Sequence, residues 1–127
     1  MTPTAFFRAA SPALVSELAM FLVVRGLPAS TGLSFLYVAL VSWVALPAVA
    51  GFRVSRAGGS LLVAGAGGSA VSGVTLACAA ISELLFTRDA LAFGEFVLAT
   101  LLVAIPLQGL IGMVAGWTAR FRTRRGA

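Results

Sequence analysis

The sequence contains no lysine, no histidine and a single cysteine, and only 10% of its 127 residues are charged. Without histidine and with one cysteine, the chain has almost no ligands for zinc, haem or iron–sulfur sites. A Ser-His-Asp or Cys-His catalytic arrangement cannot be assembled either. Without lysine there is no GxxxxGK[ST] phosphate loop, and GxGxxG is also absent. We therefore expect no cofactor, no metal centre and no catalytic residues, and predict that the protein is not an enzyme.

Apolar residues dominate what remains. They make up 60% of the chain, whereas a soluble domain is typically about 25% charged. A water-soluble chain of this length could not bury so much apolar surface, so lipid must cover part of it. We predict an all-α integral membrane protein, one domain over residues 1–127, that crosses a bacterial inner membrane several times.

Four apolar runs predict a bundle of four transmembrane helices. The first follows Ser11 and Pro12, which form an N-cap and a first-turn proline, and it stops near Gly26 and Pro28. Its length of about 15 residues is short against ~30 Å of hydrocarbon, so a tilted span and a re-entrant or interfacial helix both remain open. In the second run, Gly51 is expected to cap the C-terminal end. The predicted spans are residues 11–25, 33–51, 58–86 and 91–119, followed by a basic tail at 120–127.

The third and fourth runs each carry small residues at helical spacing, so these residues share one face of their helix. Small side chains let membrane helices approach closely, and we expect Ser69 and Ser72 to hydrogen-bond locally or across such a contact. In the fourth run, Pro106 is expected to kink the helix. The two faces are predicted to touch each other, unless one faces another subunit. They are Gly65, Ser69 and Gly73 in the third span, and Gly109, Gly112 and Gly116 in the fourth.

All nine basic residues are arginine, against four acidic residues. With four spans, seven arginines lie on one side of the membrane and only Arg25 and Arg88 on the other, which predicts that both termini are cytoplasmic. A basic tail beside an apolar span contacts anionic lipid headgroups more often than nucleic acid. The arginines predicted to contact lipid and to set the topology are Arg53, Arg56, Arg120, Arg122, Arg124 and Arg125.

Glu17 is the strongest candidate for a substrate or ion site, because it falls near the middle of the first span. A carboxylate at that depth is costly unless a proton or a partner compensates it. It is either a coupling site for a proton or cation, or a structural hydrogen bond to a neighbouring helix. Gln108 is the other polar side chain at membrane depth, two residues after Pro106. Glu83 and Glu95 flank the outer turn. They form either an ion-pair cluster with Arg25, Arg88 and Asp89 or a cation-attracting vestibule.

A chain this small has little room to enclose a pathway alone. The first hypothesis is therefore a non-catalytic accessory subunit of a larger membrane complex, which packs through its glycine faces against other subunits or copies of itself. The alternative is a small oligomeric transporter or channel for a cation or proton-coupled substrate that uses Glu17. In size, span number and this glutamate, the chain is similar to small multidrug-resistance transporters. The aromatics and glycines around Glu17 and the arginine bias depart from that family.

Overall fold

The computed structural model of the chain describes residues 1–26, 32–87 and 90–125, with side chains for 1–23, 39–85 and 91–122. The described residues contain no strand, which confirms the all-α prediction. A π-helical turn joins α4 directly to α5, so these two are halves of the predicted fourth helix, and the predicted count of four is confirmed. The elements are α1 (Pro3–Gly26), α2 (Gly32–Arg56), α3 (Leu61–Ser82), a π-helical turn (Glu83–Thr87), α4 (Ala90–Ala99), a second π-helical turn (Thr100–Ala104) and α5 (Ile105–Arg125).

The first helix starts at Pro3, so both the predicted start at Ser11 and the predicted shortness of this span are wrong. Thr2 and Pro3 form the same kind of cap, and the Thr2 hydroxyl accepts a hydrogen bond from a first-turn N–H at 3.2 Å. Pro12 therefore lies inside α1, where it deprives the Arg8 carbonyl of its helical donor. The Ser11 hydroxyl donates to that carbonyl at 3.1 Å instead. With 24 residues, α1 is about 36 Å long, enough for a continuous span.

The second helix continues to Arg56, past the predicted cap at Gly51. The residue with a left-handed conformation is Gly58, at φ 99°, where glycine avoids the steric penalty of a side chain. The chain then reverses, and Ser60 caps α3 by accepting a hydrogen bond from the Val63 N–H at 3.2 Å. The prediction that Gly51 ends the helix is therefore wrong, because this glycine serves a contact between helices.

The residues just before Pro106, where a kink is predicted, depart from α-helical geometry. They form the π-helical turn, in which the N–H of Ile105 donates to the Thr100 carbonyl. A proline supplies no N–H to the preceding turn, so α-helical bonding is interrupted at this point. The interruption separates the closely packed α5 from α4, which is mostly exposed.

The helices α2, α3 and α5 pack against one another, and α1 lies against α2 and α3. Short side chains in the interior allow this close approach. The bonds from Arg53 to Ala9 and from Arg120 to Gly59 bring three parts of the chain together: the start of α1, the α2–α3 turn and the end of α5. We call this region the basic end. The buried apolar residues are Ala9, Ala10, Ala13, Ala50, Val54, Ala64, Val71 and Ala119.

Large apolar side chains lie on the outside of every helix, for example Val15, Leu40, Leu62, Leu91 and Leu110. Among the described residues, three segments are long and apolar enough to cross a membrane, as judged by length and composition. These are Pro3–Val23, Leu61–Leu85 and Leu91–Arg122. An interior of small residues with large apolar residues outside is compatible with a helical membrane protein.

Candidate functional site

Three helices meet main chain to main chain at Gly112 of α5. A Cβ atom added to Gly51 of α2 would lie 2.1 Å from the Gly112 oxygen. One added to Gly68 of α3 would lie 2.2 Å from the Gln108 oxygen and 3.1 Å from the Gly112 Cα. A Cβ on Gly112 itself would lie 2.6 Å from the Ala64 oxygen. No methyl group fits so close to backbone atoms, so Gly51, Gly68 and Gly112, which we call the glycine junction, require glycine.

Five of the six residues in the predicted small-residue faces lie at or beside this contact, and Gly73 is the exception. Gly109 is close enough that an added Cβ would lie 2.8 Å from the Ser69 oxygen. Gly73 is exposed, with nothing within 4 Å of an added Cβ. Its predicted contact with the fourth span is wrong because Ser69 already pairs with Ile105, the first residue of α5, so Gly73, one turn further along α3, lies beyond the start of α5. Added Cβ atoms at Gly65 and Gly116 would each lie 2.7 Å from side-chain carbons, of Met113 and Ala64 respectively.

Sequence reasoning missed two members of the glycine junction, Gly51 and Gly68. Ala64, Gly68 and Ser72 form a second small-residue stripe on α3, beside the predicted one. Helical spacing identifies both stripes but cannot choose between neighbours that are equally small. Gly51 has no small residue four positions before or after it except Ser55, and its place before Phe52 and Arg53 suggested a helix end.

Serine hydroxyls join α5 to the other helices across the same contact. Ser55 of α2 donates to the Gly116 carbonyl at 2.9 Å, and Ser69 of α3 donates to the Ile105 carbonyl at 2.9 Å. Ser72 donates to the side-chain oxygen of Gln108. The expectation that Ser69 and Ser72 form hydrogen bonds is confirmed, and both bonds run across helices. Each bond satisfies a hydroxyl that would be costly to leave unpaired between packed helices.

Gln108 links three helices and is only 2% exposed. Its oxygen accepts the bond from Ser72 of α3, and its Nε2 donates to the Trp43 carbonyl of α2 at 3.0 Å. That carbonyl lies four residues before Pro47, which has no N–H to offer it. The side chain of α5 thus replaces the hydrogen bond that a proline removes from α2. Both polar ends of Gln108 have protein partners, so this residue connects helices.

Glu17 and Thr75 join α1 to α3. The Glu17 carboxylate accepts a hydrogen bond from the Thr75 hydroxyl, whose oxygen also lies 3.3 Å from the Val71 carbonyl oxygen. Glu17 is partly buried, so it has access to the surface of the bundle. Of the two readings open for Glu17, this contact is the structural hydrogen bond to a neighbouring helix. Thr75 was not predicted as the partner of Glu17. The only sequence signal for it is its position on the small-residue helix, four residues after Val71.

Glu83 and Glu95 do not join this arrangement through any described contact. Glu83 is partly buried in the first π-helical turn, and Glu95 is exposed on α4. The charged neighbours of the predicted outer cluster, Arg25, Arg88 and Asp89, lie outside the described side chains. Among the described residues, no group of three histidine, cysteine, aspartate or glutamate side chains could hold a metal ion.

Three arginines predicted to contact lipid are held by contacts at the basic end. Arg53 donates from Nε to the Ala9 carbonyl at 2.8 Å, and Arg120 donates from Nη2 to the Gly59 carbonyl at 2.9 Å. The Arg56 guanidinium lies 5.9 Å from the centre of the Phe52 ring. Arg122 is exposed, and the side chains of Arg124 and Arg125 lie outside the described set. Contact with lipid headgroups stays a prediction for all six.

The candidate site is thus a set of contacts between helices, comprising the glycine junction, the Ser72–Gln108–Trp43 connection and the Glu17–Thr75 pair. Comparisons of the chain with protein-family models, with curated proteins and with solved structures found no match.

Proposed function

We propose that the protein is a non-catalytic accessory subunit of a larger complex in a bacterial inner membrane. Its four helices span the bilayer, and both termini lie in the cytoplasm. The membrane location is supported by three long apolar segments and by the large apolar side chains on the outside. The orientation is supported by the gathering of Arg8, Arg53, Arg56 and Arg120 at the basic end, because arginine is enriched on the cytoplasmic side of inner-membrane proteins.

The observation that carries the subunit role is the exposure of α4. Leu91 is 78% exposed and Leu98 is 58% exposed, and Leu102 in the following turn is 71% exposed. The helix has few contacts with the rest of the bundle, and it is apolar around most of its circumference. Such a helix is covered either by other protein or, in a membrane, by lipid. Lipid can cover leucine, but the exposed Glu95 on the same helix favours a polar partner.

The packing of α2, α3 and α5 favours a structural role over a transport pathway between them. At the glycine junction the backbones leave no room for a methyl group, and therefore none for a hydrated ion. Gln108 and Ser72, which could otherwise line a pathway, bind each other. The described contact between α2, α3 and α5 is therefore closed, which suits a part whose outer surface makes the contacts.

The test is photocrosslinking from α4 in native membranes. The photoreactive residue p-benzoylphenylalanine replaces Leu98 and, as a matched control, Val15 on α1, which is 63% exposed. We expect adducts with a different polypeptide from position 98, several-fold more than from position 15. Equal yields from the two positions would contradict the proposal. Adducts only with a second copy of the chain would replace it with self-assembly.

The second candidate, a small oligomeric transporter or channel, is supported by one observation. Glu17 is only partly buried, and its described hydrogen-bond partner is the neutral Thr75 hydroxyl, so the carboxylate can still exchange a proton or cation. In proteoliposomes with a pH-sensitive dye, this role predicts proton flux that Glu17→Gln abolishes while assembly is retained. The accessory role predicts the same background flux for the wild type and for Glu17→Gln.

A further inference from the structure

An open groove of about 520 Å³ lies at the basic end, between the start of α1 and the end of α2. Arg8 lines it from α1, and Arg53 and Arg56 line it from α2. Between these charges the walls are apolar, formed by Phe52 and by short alanine side chains. The groove therefore combines three positive charges with an apolar lining.

Two of the three guanidinium groups are held in place by contacts that leave their outer nitrogens available. Arg53 uses Nε to bind the Ala9 carbonyl at 2.8 Å, and Arg56 lies 5.9 Å from the Phe52 ring centre. The two outer nitrogens of a guanidinium match the oxygens of a phosphate, to which they bind bidentately. Arg53 and Arg56 also lie in the last turn of α2, where the helix dipole stabilises a positive charge. That explanation does not extend to Arg8, which lies near the start of a different helix.

The described carboxylates do not compensate these charges. Glu17 contacts Thr75 on α3, Glu83 follows the C-terminal end of α3, and Glu95 lies on α4. The groove thus attracts an anion.

A second groove, of about 380 Å³, adjoins the first and shares Phe52 and Arg53 with it. It passes between α2 and α5, and its lining is apolar apart from Arg53 and Thr118. Ala48 and Val49 of its wall lie about 6 to 8 Å along α2 from Arg53, away from the basic end. An acyl chain that enters this groove from the arginines therefore runs along the outside of α2 and α5, away from the basic end.

We infer that these two grooves bind one anionic phospholipid, with the phosphate between Arg8, Arg53 and Arg56 and an acyl chain in the open surface groove along α2 and α5. The side-by-side arrangement of a cationic and an apolar groove complements a charged headgroup with an attached hydrocarbon chain. Anionic headgroups are attracted to arginine at the cytoplasmic surface. This inference requires the proposed membrane insertion, but it does not require a partner subunit.

The test uses the purified full-length chain in a neutral detergent, with bound lipid counted by native mass spectrometry. The probes are dioleoyl phosphatidylglycerol and dioleoyl phosphatidylcholine, which have the same acyl chains and differ in headgroup charge. We expect retained binding of phosphatidylglycerol and at least about tenfold weaker binding of phosphatidylcholine, which corresponds to about 1.4 kcal/mol. Equal binding of the two lipids would overturn the inference. No other chain is present, so this outcome is independent of the photocrosslinking result.

Single substitutions distinguish the groove from general surface charge. Arg8→Gln and Arg56→Gln should each weaken phosphatidylglycerol binding about fivefold to tenfold, since one arginine near an anionic surface contributes about 1 kcal/mol or more. Arg122→Gln removes the same charge from an exposed position on α5 outside the groove and should change binding less than about twofold. Equal losses for all three variants would reduce the site to non-specific attraction and overturn the inference.

A variant of the apolar groove separates a lipid from a free phosphate. Ala48→Leu fills the space between α2 and α5 and should weaken phosphatidylglycerol binding, while its melting temperature without lipid reports whether the fold is intact. Millimolar inorganic phosphate should compete poorly with the lipid. Two results together would make this a phosphate site and the lipid assignment wrong. The first is displacement of the lipid by phosphate. The second is that Ala48→Leu and Val49→Leu variants with normal melting temperatures bind lipid as well as the wild type does.

Discussion

The side-chain amide of Gln108 donates a hydrogen bond to the Trp43 carbonyl, at 3.0 Å and from one helix to another. Trp43 precedes Pro47 by four residues, so no main-chain N–H of α2 is in place to bind this carbonyl. An unpaired carbonyl is costly in a bilayer, where no water replaces the missing donor. The pair therefore links a local defect in α2 to the packing of α5.

The Gln108–Trp43 bond predicts that Gln108 and Pro47 are energetically coupled. Gln108→Leu should lower the free energy of unfolding by about 2 kcal/mol, because it leaves the Trp43 carbonyl and the Ser72 hydroxyl unpaired. Pro47→Ala restores a main-chain N–H for the Trp43 carbonyl. Its effect on the free energy of unfolding should therefore be about 1 kcal/mol more favourable in the Gln108→Leu background than in the wild type. Thermal or denaturant unfolding in mild detergent measures the cycle. Strict additivity of the two substitutions would contradict the assigned role.

Ser11 provides the comparison for this cycle, because its hydroxyl serves the same kind of defect at the surface. It donates to the Arg8 carbonyl that Pro12 leaves free, and the contact is exposed. Ser11→Ala should therefore change the free energy of unfolding by less than about 0.5 kcal/mol. A loss as large as that of Gln108→Leu would mean that burial is not the cause of the difference.

The glycine junction predicts opposite effects of the same substitution at different glycines of the bundle. Gly112→Ala should destabilise the fold by at least about 2 to 3 kcal/mol, because its Cβ would lie 2.6 Å from the Ala64 oxygen. Gly73→Ala and Gly94→Ala meet open space within helices and should be neutral or stabilising by up to about 1 kcal/mol. The melting temperature of each variant in the same detergent checks the order, and a Gly73 variant less stable than the Gly112 variant would refute it.

The sequence was sufficient for the number of helices and for the small-residue contact between the third and fourth spans. Lipid compatibility follows from composition, and helical spacing identifies faces without any knowledge of the partner. The start of α1 could not be predicted in the same way, because Thr2–Pro3 and Ser11–Pro12 are equally good starts. Ala9 and Ala10 are buried against Val54 and Ala64, and this tertiary contact extends the helix back to Pro3.

The roles of Gly51 and Gln108 were beyond local reasoning for a related cause. A glycine near a helix end suits either a cap or a close contact, and only the position of Gly112 distinguishes the two. Gln108 was selected for its depth, but its function depends on Pro47, which is distant in sequence and on another helix. Both cases need the register of α5 against α2, which no periodicity within one segment contains.

The arginine distribution predicts the orientation of the chain. In a Cys78→Ser background, a cysteine at Ser60 in the α2–α3 turn should react with a membrane-impermeant maleimide only after cells are opened. A cysteine at Asp89, in the turn that the arginine count assigns to the outside, should react in intact cells. Labelling of Ser60→Cys in intact cells would reverse the orientation. Labelling of neither position after opening would contradict exposure of these turns to water.

The central claim is that α3 and α5 touch through their small-residue faces while the chain is in a membrane. An added Cβ at Gly109 would lie 2.8 Å from the Ser69 oxygen, which suits a disulfide between cysteines at these positions. The direct measurement is therefore oxidation of Cys78→Ser/Ser69→Cys/Gly109→Cys in isolated native membranes, with free thiols counted afterwards by mass-tagged maleimide on monomers. The account predicts that both thiols disappear within the monomer, whereas Gly73→Cys with Gly109→Cys leaves both free. Two free thiols at positions 69 and 109 after oxidation would contradict it.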